Sequence, residues 1–114
     1  MNKPLLTSAR TVTTRGVHIV TLAGEIDNTT AGIFLQALTP DGPAPQRTII
    51  DFRDVTFMDS SGINVLINAN NNAHAAHQYL DLADVHPPVS EVLHIIGLDD
   101  LMRIYTTLDQ ALNT

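Results

Sequence analysis

The sequence is poor in several residue types, and each shortage excludes a class of function. None of the 114 residues is a cysteine, which excludes disulfides, thiolate metal sites and cysteine nucleophiles. Lys3 is the only lysine, and lysine and arginine form no cluster. This distribution argues against nucleic acid as a direct partner, because phosphate backbones are bound by basic surfaces.

Long apolar segments are also missing. No run reaches the roughly 18 apolar residues that a membrane-spanning helix needs. Residues 1–16 lack the apolar core of a signal peptide. We therefore expect no membrane association and a cytoplasmic location.

Length and charge set further limits. A chain of 114 residues predicts a single domain, 1–114, with residues 1–8 as a loose N-terminal end. Six basic and twelve acidic residues give a net charge of -6. This charge would suit a partner with a basic surface, or it serves only solubility.

The central motif combines a strand with a helix start. Residues 49–52 are typical of a strand buried on both faces, and residues 53–56 are expected to turn the chain. Phe57 and Met58 are then expected to return to the core.

The next four residues, 59–62, read DSSG and precede an apolar-periodic segment. Asp and Ser at this position predict a helix start, and either Asp59 or Ser60 can be the cap. In both cases a serine hydroxyl lies at the positive end of a helix, where a phosphate would meet free N–H groups. Taken alone, DSSG is most simply a helix cap.

Strand-like and helix-like segments alternate along the rest of the chain. A hairpin of two strands comes first, and breaker-rich loops separate the later segments. Strands are predicted at 11–14, 17–23, 79–85 and 102–106, and helices at 28–38, 60–77, 88–96 and 108–113. This order predicts an α/β fold, with a mixed sheet of about four to five strands and about four helices packed on it.

Three segments, in this order, resemble the STAS domain family, and most closely its anti-anti-sigma factors, also called anti-sigma factor antagonists. They are LAGEID at 22–27, VTFMDSSG at 55–62, and Gly-Leu at 97–98 after an apolar helix. The resemblance spans nearly the whole chain. It implies a binding protein that is not an enzyme and that uses no cofactor.

The same resemblance implies roles for individual residues. Ser60 occupies the position of the family's phosphorylated serine. Ser61 is either a second phosphoacceptor or, as we favour, a hydroxyl bonded to the first helical turn. Gly62 is expected to leave the backbone open to a kinase. The partner-binding set implied is Glu25, Asp27, Asp59, Ser60, Ser61, Gly62, Asn64 and Asn68.

Two of these residues belong to a row of asparagines. Asn64, Asn68, Asn71 and Asn72 fall on one face of the predicted central helix. The row is either a solvated polar face or a continuation of the partner surface. Family members commonly have small residues at positions 64 and 68, so this chain departs from the pattern there.

The partners implied are an anti-sigma factor with serine kinase activity and a phosphoserine phosphatase. The unphosphorylated protein would sequester the kinase and free a sigma factor, and phosphorylation of Ser60 would reverse this. The alternative is a STAS accessory subunit of a stress-signalling scaffold or a lipid-transport complex.

Other chemistry finds little support in the sequence. An enzyme acting through Ser60 lacks the G-x-S-x-G elbow, and a glycine-rich phosphate loop is missing. His74 and His77 have no third zinc ligand nearby in the sequence. We therefore expect no metal site.

Overall fold

The structure, a computed structural model, describes residues 6–114. Its elements are β1 (Leu6–Val12), β2 (His18–Ile26), α1 (Ala31–Leu38), β3 (Arg47–Met58), α2 (Ser60–Ala75), β4 (Tyr79–Ala83), α3 (Pro87–Ile95), a 3₁₀ turn (Leu98–Asp100), β5 (Ile104–Tyr105) and α4 (Leu108–Leu112). The strands form one mixed sheet in the order β1-β2-β3-β4-β5. The predicted α/β fold class is confirmed.

The predicted hairpin is confirmed, but its first strand begins earlier than expected. β1 and β2 pair antiparallel, from Leu6 opposite Gly24 to Val12 opposite His18. Residues 6–8 therefore belong to the sheet and not to a loose end, while residues 1–5 lie outside the described residues. Only Leu6 of β1 is buried, so the strand carries almost no apolar pattern that would predict it.

The turn predicted at 53–56 is wrong, because β3 continues without interruption through Met58. Its pairing with the parallel strand β2 shifts register twice, and β3 carries one extra residue at each shift. Val55 and Met58 consequently both face the core, although three positions separate them. These bulges break the two-residue alternation by which a strand is recognised.

The helices lie on both faces of the sheet. Residues of α1, α2 and α3 share one apolar cluster with the strands, where the rings of Phe34 and Phe52 meet edge-to-face at 6.3 Å. Ile49, Ala83 and Ala111 form a smaller cluster on the opposite face, which α4 covers. Alternate strand residues point to opposite faces, so the neighbouring residues Ile49 and Ile50 pack in different clusters.

One buried carboxylate connects the strands to α4 on the sheet face that α4 covers. Asp81 is 2% exposed, and the Arg47 Nε donates to its Oδ2 over 2.8 Å. The same guanidinium donates to the Ala111 carbonyl at 2.9 Å, which connects β3 and β4 to α4. Arg103 adds two longer bonds of 3.3 Å to Asp81.

Candidate functional site

The site begins at the N-terminus of α2. Asp59 is the N-cap, and its carboxylate accepts a 2.8 Å hydrogen bond from the Ser61 amide. Ser60 is therefore the first helical residue and not the cap. Its side chain is exposed, at the helix end where backbone N–H groups point outward. The predicted helix start is confirmed, and of the two candidate N-cap residues Asp59 is the cap.

The two residues after Ser60 differ from the expectation. Ser61 is half-buried, and its hydroxyl makes no hydrogen bond within residues 6–114, so the predicted local bond is not formed by that side chain. Gly62 is buried in the packing between α2 and the sheet. A Cβ at this position would lie 2.5 Å from Met58 Cγ and 2.6 Å from Ile26 Cγ2. Glycine is needed here for helix–sheet contact, and the expected open backbone is wrong.

The segment 24–28 lies directly beside this helix start. Ile26 pairs with Met58 and Glu25 with Phe57, and the Asp59 amide donates to the Ile26 carbonyl at 3.0 Å. Parallel strands end at the same edge of a sheet, which explains why two motifs far apart in sequence meet. Glu25 is exposed at this edge.

Asp27 is fixed by the residues that lead into α1. Its carboxylate accepts from the Thr29 hydroxyl at 2.7 Å, the Thr29 amide at 2.9 Å and the Thr30 amide at 3.2 Å. These bonds, the Thr29 hydroxyl foremost, hold the pKa of Asp27 below 3.8, against a smaller opposing effect of desolvation. Asp27 therefore fixes the loop that leads into α1, whose N-cap residue is Thr30.

Two further features complete the surface. Asn64 and Asn68 both lie exposed on α2, and Asn68 lines a groove of about 280 Å³ between α2 and the α1 region. Phe57 is 47% exposed, whereas the sequence placed it in the core with Met58. The extra residue in β3 turns Phe57 outward beside Glu25, and nothing in the sequence marks that bulge.

The described part of the chain offers neither a metal centre nor a membrane span. No group of three or more His, Cys, Asp or Glu side chains is arranged to hold a metal ion in residues 6–114. Over the same residues, no helix has the length and apolar character to cross a bilayer.

The five-stranded mixed sheet, with a capped helix presenting a serine at its edge, defines a STAS fold. The STAS domain family matches residues 8–111, and the chain belongs to this family.

Known proteins with related sequences or folds extend this result. An anti-sigma F factor antagonist of Paenibacillus polymyxa is 31% identical over 100 residues, covering 86% of both chains. An anti-sigma factor antagonist from Mycobacterium paratuberculosis superposes with a TM-score of 0.82 at 29% identity, over 95% of this chain and 92% of that one. A sulfate transporter family protein from Wolinella succinogenes has a TM-score of 0.78 at 21% identity, over 90% of this chain and 86% of that one, and shows the fold alone. The fold therefore does not by itself decide the function.

Proposed function

We propose that this protein is an anti-sigma factor antagonist controlled by phosphorylation of Ser60. Unphosphorylated, it binds and sequesters an anti-sigma factor that is also a serine kinase, and this frees a sigma factor. Phosphorylation of Ser60 ends the binding, and a phosphoserine phosphatase restores it. The observation that carries the proposal is the exposed Ser60 hydroxyl at the first position of α2, beside Glu25.

The helix start suits a phosphoryl group. Phosphorylation adds about -1.5 to -2 charges near neutral pH. Backbone N–H groups and the positive end of the α2 dipole stabilise negative charge at this position. Asp59 opposes it as a neighbouring carboxylate, but that carboxylate is engaged with the Ser61 amide at 2.8 Å. The fold can therefore accept the modification.

The effect on binding follows from where the new charge lies. Gly62 and Ile63, just beyond Ser60, are buried, so the helix start is held against the sheet and has little freedom to move. A partner packed on the unmodified hydroxyl would meet a bulky dianion that it must desolvate. Desolvating an unpaired charge is strongly unfavourable, so phosphorylation blocks the surface directly.

The proposed partner surface contains exposed and supporting residues. Glu25, Ser60, Asn64 and Asn68 reach solvent and are available for direct contact. Asp27, Asp59, Ser61 and Gly62 shape the loop and the helix start, and Gly62 acts through packing. We add Phe57, because aromatic side chains, phenylalanine included, are enriched in protein interfaces.

The chemistry of this surface indicates the kind of partner. Three carboxylates, those of Glu25, Asp27 and Asp59, belong to the two segments that meet at the start of α2, so a basic surface on the kinase would be complementary. Nucleic acid and membranes are not proposed partners. The protein would act in the cytoplasm, without a cofactor and without catalysis of its own.

Phosphosite mapping tests the switch. Wild type, Ser60→Ala and Ser61→Ala would be incubated with ATP and soluble extract of the source cell, then analysed by mass spectrometry. We expect one phosphate on wild type and on Ser61→Ala, and none on Ser60→Ala. Ser61→Ala is the matched control, because it removes the neighbouring, half-buried hydroxyl.

A different pattern would redirect the interpretation. Phosphate lost in Ser61→Ala but kept in Ser60→Ala would move the acceptor by one residue. No phosphate on any folded variant, in an extract with active kinases, would support a constitutive subunit of a signalling scaffold or of a lipid-transport complex. Labelling of Ser60 by a serine-reactive phosphonate would instead indicate an enzyme.

A further inference from the structure

A second site candidate lies at the opposite end of α2 from Ser60. A cavity of about 590 Å³ opens between the C-terminal turn of α2, the start of β4 and the segment before β5. α2 has 16 residues and is about 24 Å long at 1.5 Å per residue. The cavity is therefore distant from Ser60, which lies at the other end of the helix.

One wall of the cavity is rich in hydrogen-bond donors. Arg103, His74 and His77 line it, together with the amide side chains of Asn70 and Gln78. Neutral imidazole donates through one ring nitrogen, and guanidinium carries five N–H donors in a fork that matches oxyanions. This concentration of hydrogen-bond donors, with one guanidinium among them, lies on a chain whose net charge is -6.

Asp81 also lines the cavity, but its charge is already compensated. Its side chain is 3% exposed and held at 2.8 Å by Arg47, whereas the Arg103 side chain is 57% exposed and bonds it at 3.3 Å. Two guanidinium groups thus face one carboxylate, and Arg103 keeps N–H groups free for a ligand. The Arg103 guanidinium is also positioned over the Tyr79 ring, 5.5 Å from its centroid.

The other wall is apolar. Leu80, Leu101 and Met102 contribute to the lining, and Leu101 is 68% exposed. Leu80 and Met102 are 8% and 6% exposed, so Leu101 supplies most of the apolar surface beside the polar groups that could orient a small ligand.

His77 is held at the cavity by the conformation of the end of α2. It has a φ of 58°, the left-handed conformation that glycine adopts most easily after a helix. The helix end is closed by backbone bonds, with the Gln78 amide donating to the Ala73 carbonyl at 2.8 Å. These bonds fix the backbone of His77 at the end of α2, where its imidazole lines the cavity.

We propose that this cavity binds a small organic oxyanion. Its charged group would be held by Arg103, His74 and His77, and its apolar body would pack on Leu101. This proposal does not depend on Ser60 or on the proposed function.

Phenyl phosphate is a suitable probe, because it combines an oxyanion with an apolar ring. Titrations of the full chain would be followed by NMR, using the imidazole signals and the backbone amides. We expect saturable shifts at His74, His77, Tyr79 and Arg103, with tighter binding of phenyl phosphate than of inorganic phosphate or phenol. Shifts centred elsewhere, or phenol binding as tightly as phenyl phosphate, would overturn the proposal.

Two glycine substitutions separate binding from folding. His77→Gly relieves the left-handed strain and should raise the thermal unfolding midpoint, yet weaken phenyl phosphate binding by about tenfold through loss of a charged hydrogen bond. Asp84→Gly is the matched control, because Asp84 has a φ of 57° and does not line the cavity. It should raise the midpoint without changing affinity. Unchanged affinity in a folded His77→Gly protein would refute the site.

Discussion

Gly62 illustrates how one residue determines the geometry of the candidate site. The sequence marks it as a small residue after two serines, and its missing side chain suggested an open backbone for a kinase to approach. The structure gives a different cause, because the space for its side chain is filled by Met58 and Ile26. Ser60 is consequently presented by a helix that approaches the sheet closely.

Replacing Gly62 by alanine should therefore destabilise the fold. We expect Gly62→Ala to lower the free energy of unfolding by about 1–3 kcal/mol, as overpacking usually does. Gly32→Ala, in α1, is the control, since a Cβ added at that position would meet no atom within 4 Å; it should raise stability by up to about 1 kcal/mol. Urea denaturation of both variants measures this difference, and equal effects would contradict the packing argument.

A second residue-scale prediction concerns the acidity of Asp27. Thr29→Val removes the hydroxyl that contributes most to its lowered pKa, so the carboxyl should titrate closer to 3.8. Thr29→Ser keeps the hydroxyl and should keep the lowered pKa. NMR titration of the Asp27 carboxyl carbon distinguishes these outcomes, and identical pKa values in both variants would contradict the assignment.

The sign of the linked stability change follows from the lowered pKa of Asp27. The ionised Asp27 carboxylate contributes to the free energy of unfolding above the ordinary pKa of 3.8. This contribution is lost as the pH falls through the lower, folded-state pKa. Asp27→Asn should therefore show a weaker loss of stability in acid than wild type. Urea unfolding of both proteins at neutral and at acid pH measures this difference.

At the scale of elements, α4 is attached to the sheet through a buried ion cluster. Arg47 at the start of β3 binds both the Asp81 carboxylate and the Ala111 carbonyl, at 2.8 and 2.9 Å. Nothing in the sequence around Arg47 predicts this pairing, because its partners are distant in the chain. It fixes the terminal helix over Ile49 and Ala83.

The two arginines of this cluster should contribute unequally. Arg47→Met leaves a buried carboxylate with only its weaker partner, so we expect a loss of about 3 kcal/mol or more. Arg103→Met removes a more exposed and longer ion pair, and should cost about 1 kcal/mol or less. Thermal and urea unfolding of both variants would show the order, and a reversed order would refute this division of roles.

Elements with strong local signals were predicted from the sequence. Asp59 before α2, the prolines at the start of α3, and Gly97 with its φ of 77° after α3 all follow rules of helix termini. The early start of β1 and the far half of β3 were missed. Their limits depend on pairing with β2 and on two bulges, which local pattern does not encode.

The candidate site was likewise predicted only in part from the sequence. The resemblance brought the segments 22–27 and 59–62 together, and the Asp59 to Ile26 hydrogen bond confirms their proximity. The exposure of Phe57 and the burial of Gly62 required the register of β3 against β2. The cavity beside Arg103 depends on how α2, β4 and β5 pack, and sequence alone did not indicate it.

For the molecule as a whole, phosphorylation should leave the architecture unchanged. Comparing backbone amide spectra of the unmodified and Ser60-phosphorylated protein should show shifts confined to the start of α2 and residues 24–30. The physical reason is that the helix start is anchored by the buried Gly62 and Ile63. Shifts spread across β1, β4 and α4 would instead indicate a global conformational change.

The backbone hydrogen bond between Asp59 and Ile26 makes the proposed partner surface dependent on folding. Glu25 and Ser60 become neighbours only after β2 and β3 have paired, so the surface they form exists only in the completed fold. A partner that must contact both residues would not bind unfolded chains, even though these expose the same serine. Binding to this surface would thus require a correctly folded protein.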